Sequence, residues 1–145
     1  KVFGKKLVET YSYLRVYEKG HELRRHKDRY SCAVSATVNL GGNEWPIFIA
    51  KNTKYGKKIG VNEAGLAMKY EPSNTKGEKI ILKPGDMLVY EGDKFEHWRE
   101  PFTGSACIQI FLHYVEDNKK NKKLFYDTRP HIGLDVNFKG AIINE

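Results

Sequence analysis

CAVSATVNL, residues 32–40, decides the fold class. Val34, Ala36, Val38 and Leu40 fall on one face of this stretch, and Ser35, Thr37 and Asn39 on the other. A two-residue period belongs to a β-strand, whose successive side chains project to opposite faces. The residue types agree, since β-branched side chains pack well on a pleated surface. Gly41-Gly42-Asn43 then breaks the strand.

The same pattern recurs at residues 106–115 (ACIQIFLHYV), where Cys107, Gln109, Phe111 and His113 alternate with Ala106, Ile108, Ile110, Leu112 and Tyr114. Residues 11–18 (YSYLRVYE), 45–50 (WPIFIA), 79–83 (KIILK), 87–91 (MLVYE) and 95–99 read as further strands, with Pro46 suited to a strand start or an edge. Lys19-Gly20, Pro84-Gly85-Asp86 and Gly92-Asp93 supply turns. Residues 52–78 are polar and glycine-bearing around a short apolar piece at Leu66–Met68, and read as a loop with one or two short strands. The first ten residues fit either a strand or the end of a flanking helix. Residues 116–123 fit a solvated loop or a short helix, and the tail from Leu124, with Pro130 and Gly133, gives no assignment. Helical periodicity is nearly absent, and there is no repeat, low-complexity tract or linker. The expectation is a mainly β sandwich or barrel, one domain over 1–145 with its core at about 11–115.

The 145 residues give room for a hydrophobic core, and 40% apolar with 30% charged residues is a globular composition. No apolar run approaches the roughly 18 residues of a membrane span, so no membrane partner is expected. Cys32 and Cys107 are too few for a disulfide framework and lack zinc spacing, which favours a reduced, cytoplasmic setting. The chain starts at Lys1 rather than Met, which leaves room for a further N-terminal part. A net charge of +7 could serve an acidic partner. The basic residues are scattered, however, apart from Lys119, Lys120, Lys122 and Lys123, and no nucleic-acid motif accompanies them, so nucleic acid is not an expected partner.

The chemistry begins at His26-Lys27-Asp28. In an extended segment, residues two apart project to one side, so this imidazole and this carboxylate can converge on one ion. His97 stands near the start of a strand, well separated in sequence, as a non-local third ligand would be. Two histidines and a carboxylate with open positions form the facial triad of non-haem Fe(II) oxygenases.

Residues 13–40 (YLRVYEKGHELRRHKDRYSCAVSATVNL) resemble the strand–turn–HxD–strand segment of prolyl-hydroxylase-like 2-oxoglutarate/Fe(II) oxygenases. Residues 84–115 (PGDMLVYEGDKFEHWREPFTGSACIQIFLHYV) are similar to that family's distal segment, in which a Pro-Gly-Asp turn, a strand and a hairpin deliver the second histidine. The resemblance implies a double-stranded β-helix (a jelly roll, cupin-like) with iron at its open end. It further implies that His26, Asp28 and His97 hold Fe(II), that 2-oxoglutarate and dioxygen are cosubstrates, and that a C–H bond is hydroxylated. The substrate would be a small molecule or a peptide, with peptidyl proline the first expectation. Tyr17 takes the place of a tyrosine that touches the cosubstrate, and Ser35, Thr37 and Asn39 would face inward.

One departure matters. The family usually carries Arg or Lys about ten residues after the distal histidine, where a guanidinium or ammonium pairs with the far carboxylate of 2-oxoglutarate. Here that residue is Cys107. The anchor could be a cation from another strand, with Arg15, Arg29, Lys51 and Arg99 as candidates and Arg29 and Arg99 favoured by their nearness to ligands. It could instead be a set of neutral donors, Tyr17, Thr37, Asn39 and Gln109, or the cosubstrate could differ. His113 reads as a core histidine, His21 as an exposed turn residue and Cys32 as a small buried hydrophobe. His131 earns no role. Trp45 reads as packing, and Trp98 as packing or a wall of the site. The rival functions are zinc hydrolysis, which the same ligands suit but for which no HExxH is present, and a jelly-roll binding module without metal.

Overall fold

The computed structural model describes residues 4–51, 58–61 and 68–126. The expectation of a mainly β protein holds: these residues form ten strands and two 3-10 turns, with no α-helix among them. The strands are β1 (Leu7–Glu18), β2 (Leu23–His26), β3 (Val34–Gly42), β4 (Ile47–Ala50), β5 (Lys58–Val61), β6 (Met68–Tyr70), β7 (Glu78–Ile80), β8 (Met87–Tyr90), β9 (Glu96–Arg99) and β10 (Ala106–Glu116). They build two four-stranded antiparallel sheets, β1-β10-β3-β8 and β2-β9-β4-β7, with β5 and β6 as a separate pair. No described helix is long and apolar enough to cross a membrane.

β1 begins at Leu7, so the alternative of a flanking helix reaching into the first ten residues gives way to strand. The reason is the length of β10, whose ladder reaches Leu7↔Glu116 and Val8↔Val115 and so gives the start of β1 a partner. β2 was not readable as a strand, because LRRH has no apolar alternation. It exists because β9 pairs with it, Leu23↔Arg99 and His26↔His97. The lysine-rich stretch is the 3-10 turn Lys119–Leu124. Pro130, His131 and Gly133 lie outside the described residues.

Pairing between the sheets' strands is nested: β1 with β10, β2 with β9, β3 with β8, and β4 with β7. Two apolar clusters join the sheets. Tyr17 of β1, Cys107 and Phe111 of β10, Trp45 and Phe102 form one, and Ile47 and Ile49 of β4 with Tyr90 of β8 form the other. Between them the inner surface is polar. Ser35, Thr37 and Asn39 of β3 and Gln109 and His113 of β10 are all buried. The expectation that the polar face of 32–40 points inward is therefore met. The opposite face is apolar and partly open, with a row Leu14–Ile110–Val38–Met87 running across all four strands.

Candidate metal centre

His26 closes β2 and His97 lies directly opposite it on β9, so the register alone brings the two imidazoles together, with ring centroids 4.3 Å apart. Asp28 follows two residues later. Its backbone N–H donates to Gly92 O at 2.8 Å, which clips this segment to the turn after β8. A Cβ on Gly92 would collide with Asp28 Oδ2 and stand 2.7 Å from Ser35 Oγ, so only glycine lets the carboxylate settle there.

The Nε2 atoms of His26 and His97 each stand 3.5 Å from Asp28 Oδ1. That is long for a hydrogen bond. It suits two ligands of one ion, since bonds of about 2.0–2.2 Å at tetrahedral or octahedral angles put donor atoms roughly 3.0–3.6 Å apart. The far ring nitrogens agree. His26 Nδ1 donates to Arg24 O at 2.6 Å and His97 Nδ1 to Phe95 O at 3.0 Å. A proton held on Nδ1 leaves the Nε2 lone pair for a metal, as ligating histidines require. The donor set of two imidazoles and a carboxylate therefore fits one divalent ion.

Burial would raise the Asp28 carboxyl, but the neighbouring His97 and His26 imidazoles outweigh it and hold Asp28 well below the usual carboxylate range. Asp28 is thus ionised at neutral pH, as a ligand must be. For His26, burial works against a proton and the Asp28 carboxylate outweighs it, so His26 titrates above the ordinary histidine range. His26 is 36% exposed, against 14% for Asp28 and 2% for His97, so solvent reaches the cluster from the His26 side.

No protein-family model matches the chain, and no curated protein matches it.

A supporting layer was missed in the sequence. Ser35 Oγ donates to Asp28 Oδ2 at 2.7 Å, with a longer contact to Cys32 O at 3.2 Å. Having given its only proton to the carboxylate, Ser35 must accept from His113 Nδ1, 3.0 Å away. The chain His113–Ser35–Asp28 fixes Oδ2 and so turns Oδ1 toward the histidines. Burial pushes His113 down to about 4, so it is neutral at pH 7, and its Nε2 has no hydrogen-bond partner among the described residues. His113 is a core histidine, as expected, but one that helps to fix Asp28 through Ser35. Asp28, Cys32 and His113 form a second group whose ligating atoms lie within 4.8 Å of one another.

The remaining candidates divide. Thr37, Gln109 and Arg99 meet in the interior: Thr37 Oγ1 donates to Gln109 Oε1 at 3.1 Å, and Arg99 Nη2 reaches the same oxygen at 3.4 Å. Tyr17 borders them through Trp45 and Cys107. Asn39 lies elsewhere, its amide spent on Leu82 O and the Gly41 N–H. Arg29 donates to Tyr11 Oη at 2.9 Å and stacks on that ring. Arg15 is exposed over Tyr17, and Lys51 pairs with Glu78 at the surface. Trp98 is not a wall of the site: it points away from His97, stacks on Phe48 and carries Arg25 on its face. His21 is exposed in its turn, and Cys32 is buried beside Tyr11 Oη.

Proposed function

We propose that this protein is an Fe(II)- and 2-oxoglutarate-dependent dioxygenase with a double-stranded β-helix fold, and that it hydroxylates a C–H bond of a small molecule or peptide. The observation that carries this reading is that two Nε2 atoms and one ionised carboxylate oxygen, from an HxD segment and a distal strand, lie within 4.8 Å of one another. The fold assignment draws support from the nested pairing. A long hairpin whose first four strands pair in reverse order with its last four, wound into two sheets, gives the strand order of a jelly roll.

His26 Nε2, His97 Nε2 and Asp28 Oδ1 would hold the iron on one face. The bound ion would supply dioxygen activation: substrate C–H, O2 and 2-oxoglutarate give C–OH, succinate and CO2, with one oxygen atom entering each of the first two products. The protein's part is positional. The bonds that His26 Nδ1 and His97 Nδ1 donate to Arg24 O and Phe95 O would hold the imidazoles in the ligating tautomer, and Ser35 would hold the carboxylate. The buried side, beneath Thr37, Gln109 and Tyr90, excludes water from the cosubstrate. The exposed His26 side leaves an approach for substrate, of which peptidyl proline is the first to try.

The test is oxygen-dependent release of succinate from 2-oxoglutarate by the iron-loaded protein, with and without a proline-bearing peptide. His26→Ala and Asp28→Ala should each remove turnover while leaving the far-ultraviolet circular dichroism unchanged. Undiminished turnover in the double variant would end the proposal.

A further inference from the structure

We infer that Arg99 is a built carboxylate site: it holds the far carboxylate of a five-carbon 2-oxo diacid and replaces, from the opposite sheet, the cation that β10 lacks at Cys107. The inference rests on the function proposed above for its metal end only.

Arg99 is 3% exposed. Its Nη1 donates to Trp45 O and its Nη2 reaches Gln109 Oε1, both neutral acceptors. Its Nε has no partner, and no carboxylate pairs with it among the described residues. A guanidinium stays charged in a protein, and a buried charge without a counter-ion is costly. The face of Trp45, 5.0 Å from the guanidinium carbon, offsets part of that cost. Arg25, which is partly buried, shows the contrast: it meets Glu96 at 2.7 Å. Arg99 is a cation prepared for an anion that is not part of the chain.

Its place gives the anion's length. His97 and Arg99 are two residues apart on β9 and share its inner face, about 6.6 Å along the strand. The terminal carbons of an extended five-carbon diacid are separated by four C–C bonds, about 5 Å. One molecule can therefore sit with its oxo-acid end at the His97 side and its other carboxylate at Arg99. Gln109 helps by position. Its oxygen is shared by Thr37 and Arg99, and its Nε2 donates to Cys107 Sγ at 3.1 Å, so the thiol is tied down while the guanidinium meets only neutral acceptors and keeps Nε without a partner.

The experiment pairs a ligand change with a protein change. Iron-loaded protein is titrated without oxygen with 2-oxoglutarate and with 2-oxopentanoate, which has a methyl group where the far carboxylate would be, and the metal-to-oxo-acid absorption band is followed. Wild type should bind the diacid about 30-fold more tightly, within the range expected of a hydrogen bond to a charged group. In Arg99→Gln the two acids should bind within threefold of each other, and Arg99→Lys should restore part of the preference. Equal binding of the two acids to wild type overturns the inference while leaving the iron reading intact, and needs no variant to fold. Should iron-loaded wild type give no band with either acid, the 2-oxo-acid part of the proposed function fails. Glutarate added to metal-free protein then decides the Arg99 site through Trp45 fluorescence: a saturable change absent from Arg99→Gln upholds it, and no change overturns it.

Discussion

On the inner face of the β1-β10-β3-β8 sheet, Ser35, Thr37, Gln109 and His113 are each no more than 5% exposed, whereas on its outer face Leu14, Val16, Leu40 and Met87 are between 45% and 57% exposed. Part of the usual distribution is reversed, although Val34 and Ala36 of the outer face are buried and Cys107 and Phe111 add apolar surface to the inner one. Burying a polar group without a partner costs about 1–3 kcal/mol, so a polar interior persists only where its members satisfy one another. Most of them do here: Ser35 serves Asp28 and His113, and Thr37 serves Gln109, while His113 Nε2 has no partner among the described residues. The exposed outer row gives up burial energy of roughly 25 cal/mol per Å2 and carries no such network. The difference teaches that this sheet spends part of its interior on fixing Asp28 and Gln109 and leaves much of the packing to the two apolar clusters around Trp45 and Ile47.

Substitutions on the two faces should therefore differ in kind. The largest effect belongs to Asp28→Ala. It removes a ligand outright and should weaken Fe(II) binding by more than the roughly 10–100-fold that loss of a supporting partner costs. Competition against a chromophoric chelator measures this, and an unchanged affinity would remove Asp28 from the site. Ser35→Ala comes next. It leaves Asp28 Oδ2 and His113 Nδ1 without their partner, and the same competition should show a loss within about 10–100-fold. If affinity holds, the His113–Ser35–Asp28 chain is packing only.

A third substitution addresses pH. His113 is pushed down to about 4 when folded, while the unfolded chain keeps an ordinary histidine near 6.5. Between these values the unfolded state binds the extra proton, so stability falls as pH falls from 6.5 toward 4, by at most about 3 kcal/mol. His113→Asn keeps a donor for Ser35 and removes the titration. Urea unfolding at pH 7 and pH 5 should show a smaller loss in the variant than in wild type, and parallel losses would contradict this role. The smallest effects lie outside. Leu14→Lys and Met87→Lys should each change stability by no more than about 0.5 kcal/mol and leave iron affinity untouched. A large loss there would mean that the outer row packs against something and is not a bare face.

The same comparison shows what the sequence could tell. Alternation at 32–40 and 106–115 separated the faces correctly, because a two-residue period needs no tertiary information. It could not say which face is inner, since the pattern is symmetric. That choice came from the HxD string and its resemblance, and Ser35, Thr37 and Asn39 are buried as it implied. The approach of His26, Asp28 and His97 to one another was legible for the same reason. What was hidden depends on register. Ser35 and His113 are 78 residues apart and meet only because β3 pairs with β10 at that pair. β2 has no pattern of its own, and Gly92 reads as an ordinary turn glycine until Asp28 is placed against it. Asn39 shows the limit of face assignment: it is inward, but its amide is consumed by backbone.

The central claim is that one Fe(II) is held by His26, Asp28 and His97 and not by the adjacent Asp28–Cys32–His113 group. X-ray absorption on protein loaded with one equivalent of Fe(II) tests it directly. The account predicts a shell of nitrogen and oxygen only, with the scattering signature of two imidazoles that falls to one in His97→Ala. A sulfur scatterer at about 2.3 Å, the length of a metal–thiolate bond, would place the ion at Cys32 and contradict it.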